Sequence, residues 1–286
     1  MSSVIEELRQ LKWELRVAGL RRSKRAYGDR ADLPIIFGNA MAKSGSHVLS
    51  QLLEGLSEFT PLVYTDMHPI RTRLPGTGAR PQADILRELR RLKRGDMGWG
   101  YLPADPGYLD AFDADRSLVF FLYRDPRDKI LSEIHYATEI HAGHGLRGDF
   151  QAMANLEERI SASIRGIPGR LKSIRGIYES YEGWRRHPGA HALRFEDLIH
   201  RRDAALDDVL QVLEAAGVAI ALPWDQAKVR LGVSLAPARS PTFRSGSAGG
   251  WRREFTERNV SEFKEVTGDL LQAWGYEDDD RWTLKP

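Results

Sequence analysis

The chain reads as an α/β fold, built on a central, mainly parallel sheet flanked by helices. Two observations predict it. Short apolar runs suited to strands covered on both faces, such as Leu33 to Phe37 and Leu118 to Tyr123, alternate with helical stripes. That alternation is the signature of helices packed on both sides of a parallel sheet. At 286 residues the chain suits one large domain of this class and can bury about three quarters of its unfolded surface without staples.

The elements follow in order. Residues 4–20 place Val4, Ile5, Leu8, Leu11, Leu15 and Val17 or Ala18 on one helical stripe, and the basic run Arg21 to Arg25 follows. We expect this N-terminal helix to dock on the rest of the chain as an appendage covering residues 1–30 of a single domain, 1–286. Leu33 to Leu56 then reads as strand, small-residue loop and amphipathic helix, with Val48, Leu49, Leu52, Leu53 and Leu56 at helical spacing. Thr60 to Tyr64 is a second strand, Leu74 to Pro81 a Pro/Gly-rich loop, and Ala83 to Lys93 a basic helix ended by Gly95. A short strand closes at Tyr101 to Pro103, and a helical turn starts at Pro106. Leu118 to Tyr123 is the strongest strand, followed by a helix through Ile130, Leu131 and Ile134. Helices interrupted near Pro168 and Gly169 fill 151–186; Ala190 to Phe195 is a strand; Ala204 to Ala216 and Phe255 to Trp274 are helices.

Composition narrows the function classes. The 42 basic and 40 acidic residues leave a net charge of +2, which argues against a nucleic-acid partner. With no cysteine, disulfides and thiolate metal sites are excluded, which fits a reducing, cytoplasmic location. No run approaches the ~20 apolar residues of a membrane span.

Ligands of such sheets bind beyond the carboxyl ends of the strands. After the first strand, Lys43-Ser44-Gly45-Ser46 opens a helix whose free N–H groups and positive dipole end attract an anion, and Lys43 adds a full charge. It is not a Walker A loop: Gly38 to Lys43 is one residue too short, and Ala42 precedes the lysine where that motif has glycine. Arg124, directly after the strongest strand, calls for an anion or for a carboxylate such as Asp125 or Asp128.

Together these stretches resemble the sulfotransferases of the cytosolic type that use 3′-phosphoadenosine 5′-phosphosulfate (PAPS) and release phosphoadenosine phosphate (PAP). Lys43 to His47 resembles their 5′-phosphosulfate loop. Arg124-Asp125-Pro126-Arg127-Asp128 with Ser132 resembles their 3′-phosphate motif. Phe195-Glu196-Asp197-Leu198 resembles their aromatic-E-D-L segment, and Phe243 to Thr256 their RKGxxGDWKxxFT loop. The four motifs keep the family's order, and the resemblance covers nearly everything after the N-terminal helix.

The resemblance implies a P-loop-like three-layer domain that needs no metal. It gives Lys43 and the amides of Ser44, Gly45, Ser46 and His47 to the phosphosulfate, and Arg124, Ser132, Arg244, Ser245 and Gly246 to the 3′-phosphate. Lys43 would also stabilise the leaving oxygen. Where the family stacks adenine on tryptophan and tyrosine, this chain has Val48 and Phe195. The histidine of the family's H-L-P triplet is replaced by Tyr101, so the proton acceptor is open: His68 leads for its near-neutral pKa, then Asp66, then Tyr101. The acceptor is expected to be a small molecule or glycan bound among loops 65–81, 97–108, 140–150 and 229–245. Trp99, Tyr101, Tyr108 and Trp224 either line that pocket or belong to the core. Two other readings stay open: a P-loop kinase or NTPase with Asp125 on magnesium, and a nucleotide-binding protein without turnover.

Overall fold

Ile35–Ala40 (β1) forms the middle of a parallel sheet because its residues are apolar or bonded on both faces. The computed structural model describes residues 2–24, 30–65, 68–74, 78–236 and 248–284. After β1, Ser46–Phe59 (α2) leads to Val63–Tyr64 (β2) and Ile70–Arg71 (β3). Arg73–Leu74 (β4) pairs antiparallel with Gly78–Ala79 (β5). Asp96–Tyr101 (β6), Ser117–Tyr123 (β7) and Ala190–Arg194 (β8) complete the main sheet in the order β2-β6-β1-β7-β8. All its pairings are parallel, and β2 and β3 share one edge of β6 as two pieces of a broken strand.

β7 divides the core by its alternation. Val119, Phe121 and Tyr123 pack on one side with Phe37, Ile130 and Trp251, whereas Leu118, Phe120 and Leu122 pack on the other with Ile36, Leu52 and Phe195. The result is the three-layer, mainly parallel α/β architecture predicted.

Several elements differ from the sequence reading. The strand expected to close at Tyr101 to Pro103 instead runs from Asp96 and carries Gly98 and Gly100 in its interior. Glycine weakens a strand, but here a Cβ on Gly100 would collide with the Ile70 carbonyl of β3, so close strand approach requires it. The final helix is split into Glu257–Thr267 and Leu270–Ala273 at Gly268, whose φ of +54° only glycine adopts freely.

The N-terminal helix, Ser2–Ser23 (α1), buries Val17 of the predicted stripe but not Leu11 or Leu15. Leu11 and Leu15 are exposed, while Trp13 and Val17 turn inward. The Trp13 indole and the Arg16 guanidinium both donate to the Thr65 carbonyl, at 3.0 and 2.8 Å. Arg21 and Arg30 converge on buried Asp96. Polar anchors to the sheet edge therefore share with Trp13 and Val17 in orienting this helix.

Candidate functional site

The loop between β1 and α2 is built by two left-handed residues. Lys43 has φ +67°, which costs an L-residue about 1–2 kcal/mol, and Gly45 has φ +93°. A Cβ on Gly45 would also overlap the Phe195 ring, so glycine lets that ring lie against the loop. The Ser44 amide bonds back to the Met41 carbonyl at 3.1 Å, so it is engaged within the loop. The N–H groups of Ser46 and His47 lie in the first turn of α2, where no intrahelical acceptor exists. The Ser44 hydroxyl is fully buried and has no hydrogen-bond partner among the described residues.

Lys43 projects from this loop with its Nζ 3.3 Å from the centre of the Tyr136 ring. Burial pulls its pKa down to about 8; Glu133 pulls the other way, and Lys129 and Arg124 add repulsion. His47 is also pushed down, by burial first and then by Lys43 and Arg71.

Buried Asn39 of β1 ties β1 to the exit of β6. Its amide donates to the Leu102 carbonyl at 2.9 Å and accepts from the Leu102 N–H at 2.8 Å. This places Tyr101 over the loop, where its hydroxyl donates to Ser46 Oγ at 2.7 Å and Arg71 lies 5.4 Å from its ring. Burial raises the Tyr101 pKa, which disfavours the phenolate.

The turn after β7 distributes its charges among distinct tasks. Asp125 caps Pro126–His135 by accepting from the Arg127 N–H, and both its oxygens also bind the Arg127 guanidinium. Arg127 is further held by Glu277 at 2.5 Å and stacks 3.9 Å from the Trp251 ring. Asp128 accepts from the Gly249 and Trp251 N–H groups at 2.6 and 3.0 Å, anchoring the segment that follows residues 244–246. Arg124 lies over the Phe195 ring at 4.6 Å. Phe195 therefore joins the Lys43 loop to Arg124. Glu196 accepts from the Asp125 N–H at 3.0 Å and from the Tyr276 hydroxyl at 3.1 Å, fixing that junction.

The structure thus assembles Lys43, Ser44, Gly45, Ser46, His47, Tyr101, Arg124 and Phe195. Ser132 is half-buried on the helix that follows Arg124. Val48 is buried in the core layer that also holds Phe195. His68 is exposed, and no described contact joins it to the loop. Asp66, Arg244, Ser245 and Gly246 lie outside the described residues. Trp99 and Tyr108 are core residues, and the Trp224 indole donates to Asp207 at 2.8 Å.

Sequence reasoning missed a charged group beside Lys43. Lys129 is buried one helical turn before Glu133, and the His144 Nε2 pairs with Glu133 Oε1 at 3.2 Å. Burial lowers the Lys129 pKa. Burial works to raise the Glu133 pKa, but the His144 bond and the charges of Lys129, His144 and Lys43 together bring it down. The i,i+4 spacing of Lys129 and Glu133 was readable. The approach of His144 was not, because it depends on the π-helical turn Tyr136–Ile140 and the loop beyond. Among the described residues, no group of three or more His, Asp or Glu is arranged to hold a metal ion.

A mainly parallel sheet with a Lys-Ser-Gly-Ser loop between its first strand and the following helix defines a P-loop-like α/β fold, and comparison with solved structures specifies which. Mouse sulfotransferase SULT7A1, complexed with PAP, superposes with a TM-score of 0.58 at 16% identity, over 92% of this chain and 90% of that one. Retinol dehydratase, in complex with androsterone and the inactive cofactor PAP, superposes with a TM-score of 0.59 at 17% identity, over 87% and 83%. The chain has the sulfotransferase fold. No family model and no curated protein sequence matches it. Among the described residues, no helix is long and apolar enough to cross a membrane.

Proposed function

We propose that this chain is a sulfotransferase that takes PAPS as donor and a hydroxyl or amine as acceptor. The observation that carries the reading is the pair of cationic sites, Lys43 with its loop and Arg124, joined through Phe195. A donor with phosphates at both ends of a nucleoside needs two such sites, and both solved relatives named above hold PAP. The buried Ser44 hydroxyl fits the same ligand: left unpaired it costs about 1–3 kcal/mol, which a phosphate oxygen would offset.

In this reading Lys43, the Ser46 and His47 amides and the Ser44 hydroxyl hold the phosphosulfate end. Arg124 and Ser132, with Arg244, Ser245 and Gly246, hold the 3′-phosphate, and Phe195 offers a ring face to the base. When bound, PAPS supplies the sulfuryl group. Lys43 then meets the charge that grows on the leaving oxygen. The acceptor's proton needs a base, and His68, Asp66 and Tyr101 are now joined by Glu133. Tyr101 is disfavoured because its hydroxyl already donates and burial raises its pKa. Glu133 acts on Lys43 through its charge, but it is paired with His144 and held below the usual carboxylate range, so it positions Lys43 and the base stays with His68 and Asp66.

The kinase or NTPase reading loses its metal ligand, because Asp125 is occupied by Arg127 and by its own helix cap. Thermal unfolding with ligands tests the choice: PAP raises the melting temperature, and ATP with magnesium does not. The opposite pattern would remove the sulfotransferase reading. His68→Ala is expected to lower turnover about 100-fold while leaving the PAP shift in place. Unchanged turnover in that variant would pass the assignment to Asp66.

A further inference from the structure

An open cleft of about 630 Å³ lies between Arg73 and residues 165–172, the size of a pocket for a small ligand or short oligosaccharide. Four cations line it: Arg73 on one wall, and Arg165, Arg170 and Lys172 on the other, with no acidic side chain among the lining residues. The second wall is a built feature. Pro168 and Gly169 occupy the central positions of a tight turn, Gly169 at φ +68°, closed by the Arg170 N–H donating to the Ile167 carbonyl at 2.9 Å. An added bridge between Ile167 and Leu171 stiffens it. Arg165 and Arg170 pair with Glu262 and Asp149 at the cleft's margins, and Lys172 donates to Ser180 at 2.9 Å. These pairs offset the charges of Arg165 and Arg170, while the described residues give Arg73 and Lys172 no carboxylate partner.

Both walls lead back to Lys43. Arg73 is two residues from Arg71, which lies over Tyr101, whose hydroxyl bonds Ser46. Arg170 donates to the Gly145 carbonyl at 2.5 Å, next to His144, which pairs with Glu133 beside Lys43.

We propose that this cleft seats the acceptor, and that the acceptor is an acidic saccharide, carrying carboxylate or sulfate groups away from the position to be modified. The inference rests on the sulfotransferase reading above. Arginine and lysine on opposite walls would clasp the ring substituents, and Arg71, Tyr101 and His47 would line the path to Lys43. A neutral phenol or sterol would offer Arg73 and Lys172 no counter-charge.

Binding to the full-length, PAP-saturated protein, followed by calorimetry, tests this with four probes. They are a sulfated uronic-acid tetrasaccharide, an unsulfated uronic-acid tetrasaccharide, a neutral glucose tetrasaccharide and an eight-residue oligothymidylate. Either or both acidic saccharides bind at least tenfold more tightly than the neutral one and the oligonucleotide, and the two acidic arms tell sulfate from carboxylate. Their affinity falls as salt rises. Arg73→Ser with Lys172→Ser weakens them at least tenfold and leaves the PAP-induced thermal shift unchanged. Equal binding of the neutral saccharide or the oligonucleotide, no acidic binding, or an unaffected double variant would overturn the proposal. Absence of any PAP shift in the parent protein would instead overturn the sulfotransferase reading, whatever the saccharides do.

Discussion

At Lys43 burial and two neighbouring cations hold a lysine near pKa 8, so its charge titrates where an ordinary lysine's would not. The sign follows from that depression. Above about pH 8 the free protein's Lys43 is neutral, and an anion must bring a proton with it, so affinity for PAP falls as pH rises from 7 to 9. Calorimetric titration at pH 7, 8 and 9 should show this fall in the parent protein. Lys43→Arg, whose guanidinium does not titrate there, should flatten it; equal slopes would dissociate Lys43 from the anion. Lys43, Arg124, Phe195 and Tyr101 were legible because each sits in a contiguous motif at a strand exit. Glu133, Lys129 and His144 were not legible as a group, because a helix, a π-turn and a loop must all be placed before they meet.

Among the elements, the β1–loop–α2 unit was readable throughout, since strand, small-residue loop and helical stripe each follow a local rule. β6 was hidden by its glycines, whose reason is a neighbouring strand and not the local sequence. The helix after β7 shows how one motif serves several ends. Asp125 begins it, Arg127 pins it to Glu277, and Asp128 reaches across to the Gly249–Trp251 turn. Burial pushes the Asp128 pKa up, while Arg124 and the two amide bonds restrain the rise. Asp128→Ala removes two hydrogen bonds from that turn and leaves buried N–H groups without an acceptor. We expect about 2–4 kcal/mol of lost stability and weaker PAP binding, read by denaturant unfolding and by the PAP thermal shift. A loss of stability with full PAP binding would confine Asp128 to a structural role.

At the scale of the whole molecule, α1 is joined to the sheet through charge. Asp96 is fully buried at the start of β6 and accepts from Arg21, from Arg30 at 2.9 Å and from the Lys93 N–H at 2.8 Å. Removing the acid leaves its cations uncompensated, so Asp96→Ala should cost about 3–5 kcal/mol and expose α1 to limited proteolysis. An unchanged melting temperature would show that α1 is held by other contacts. The order of the sheet was not readable from the chain, because parallel crossovers leave no local mark of which strands become neighbours. The edge formed by β2 and β3 is where this arrangement matters most. A long unpaired edge is a template on which other chains can add strands and aggregate. Here the edge offers only two residues at a time, and the Thr65 carbonyl in the break is already claimed by Trp13 and Arg16 of α1. With α1 detached, that carbonyl would lose both donors and this edge would lie open to pairing.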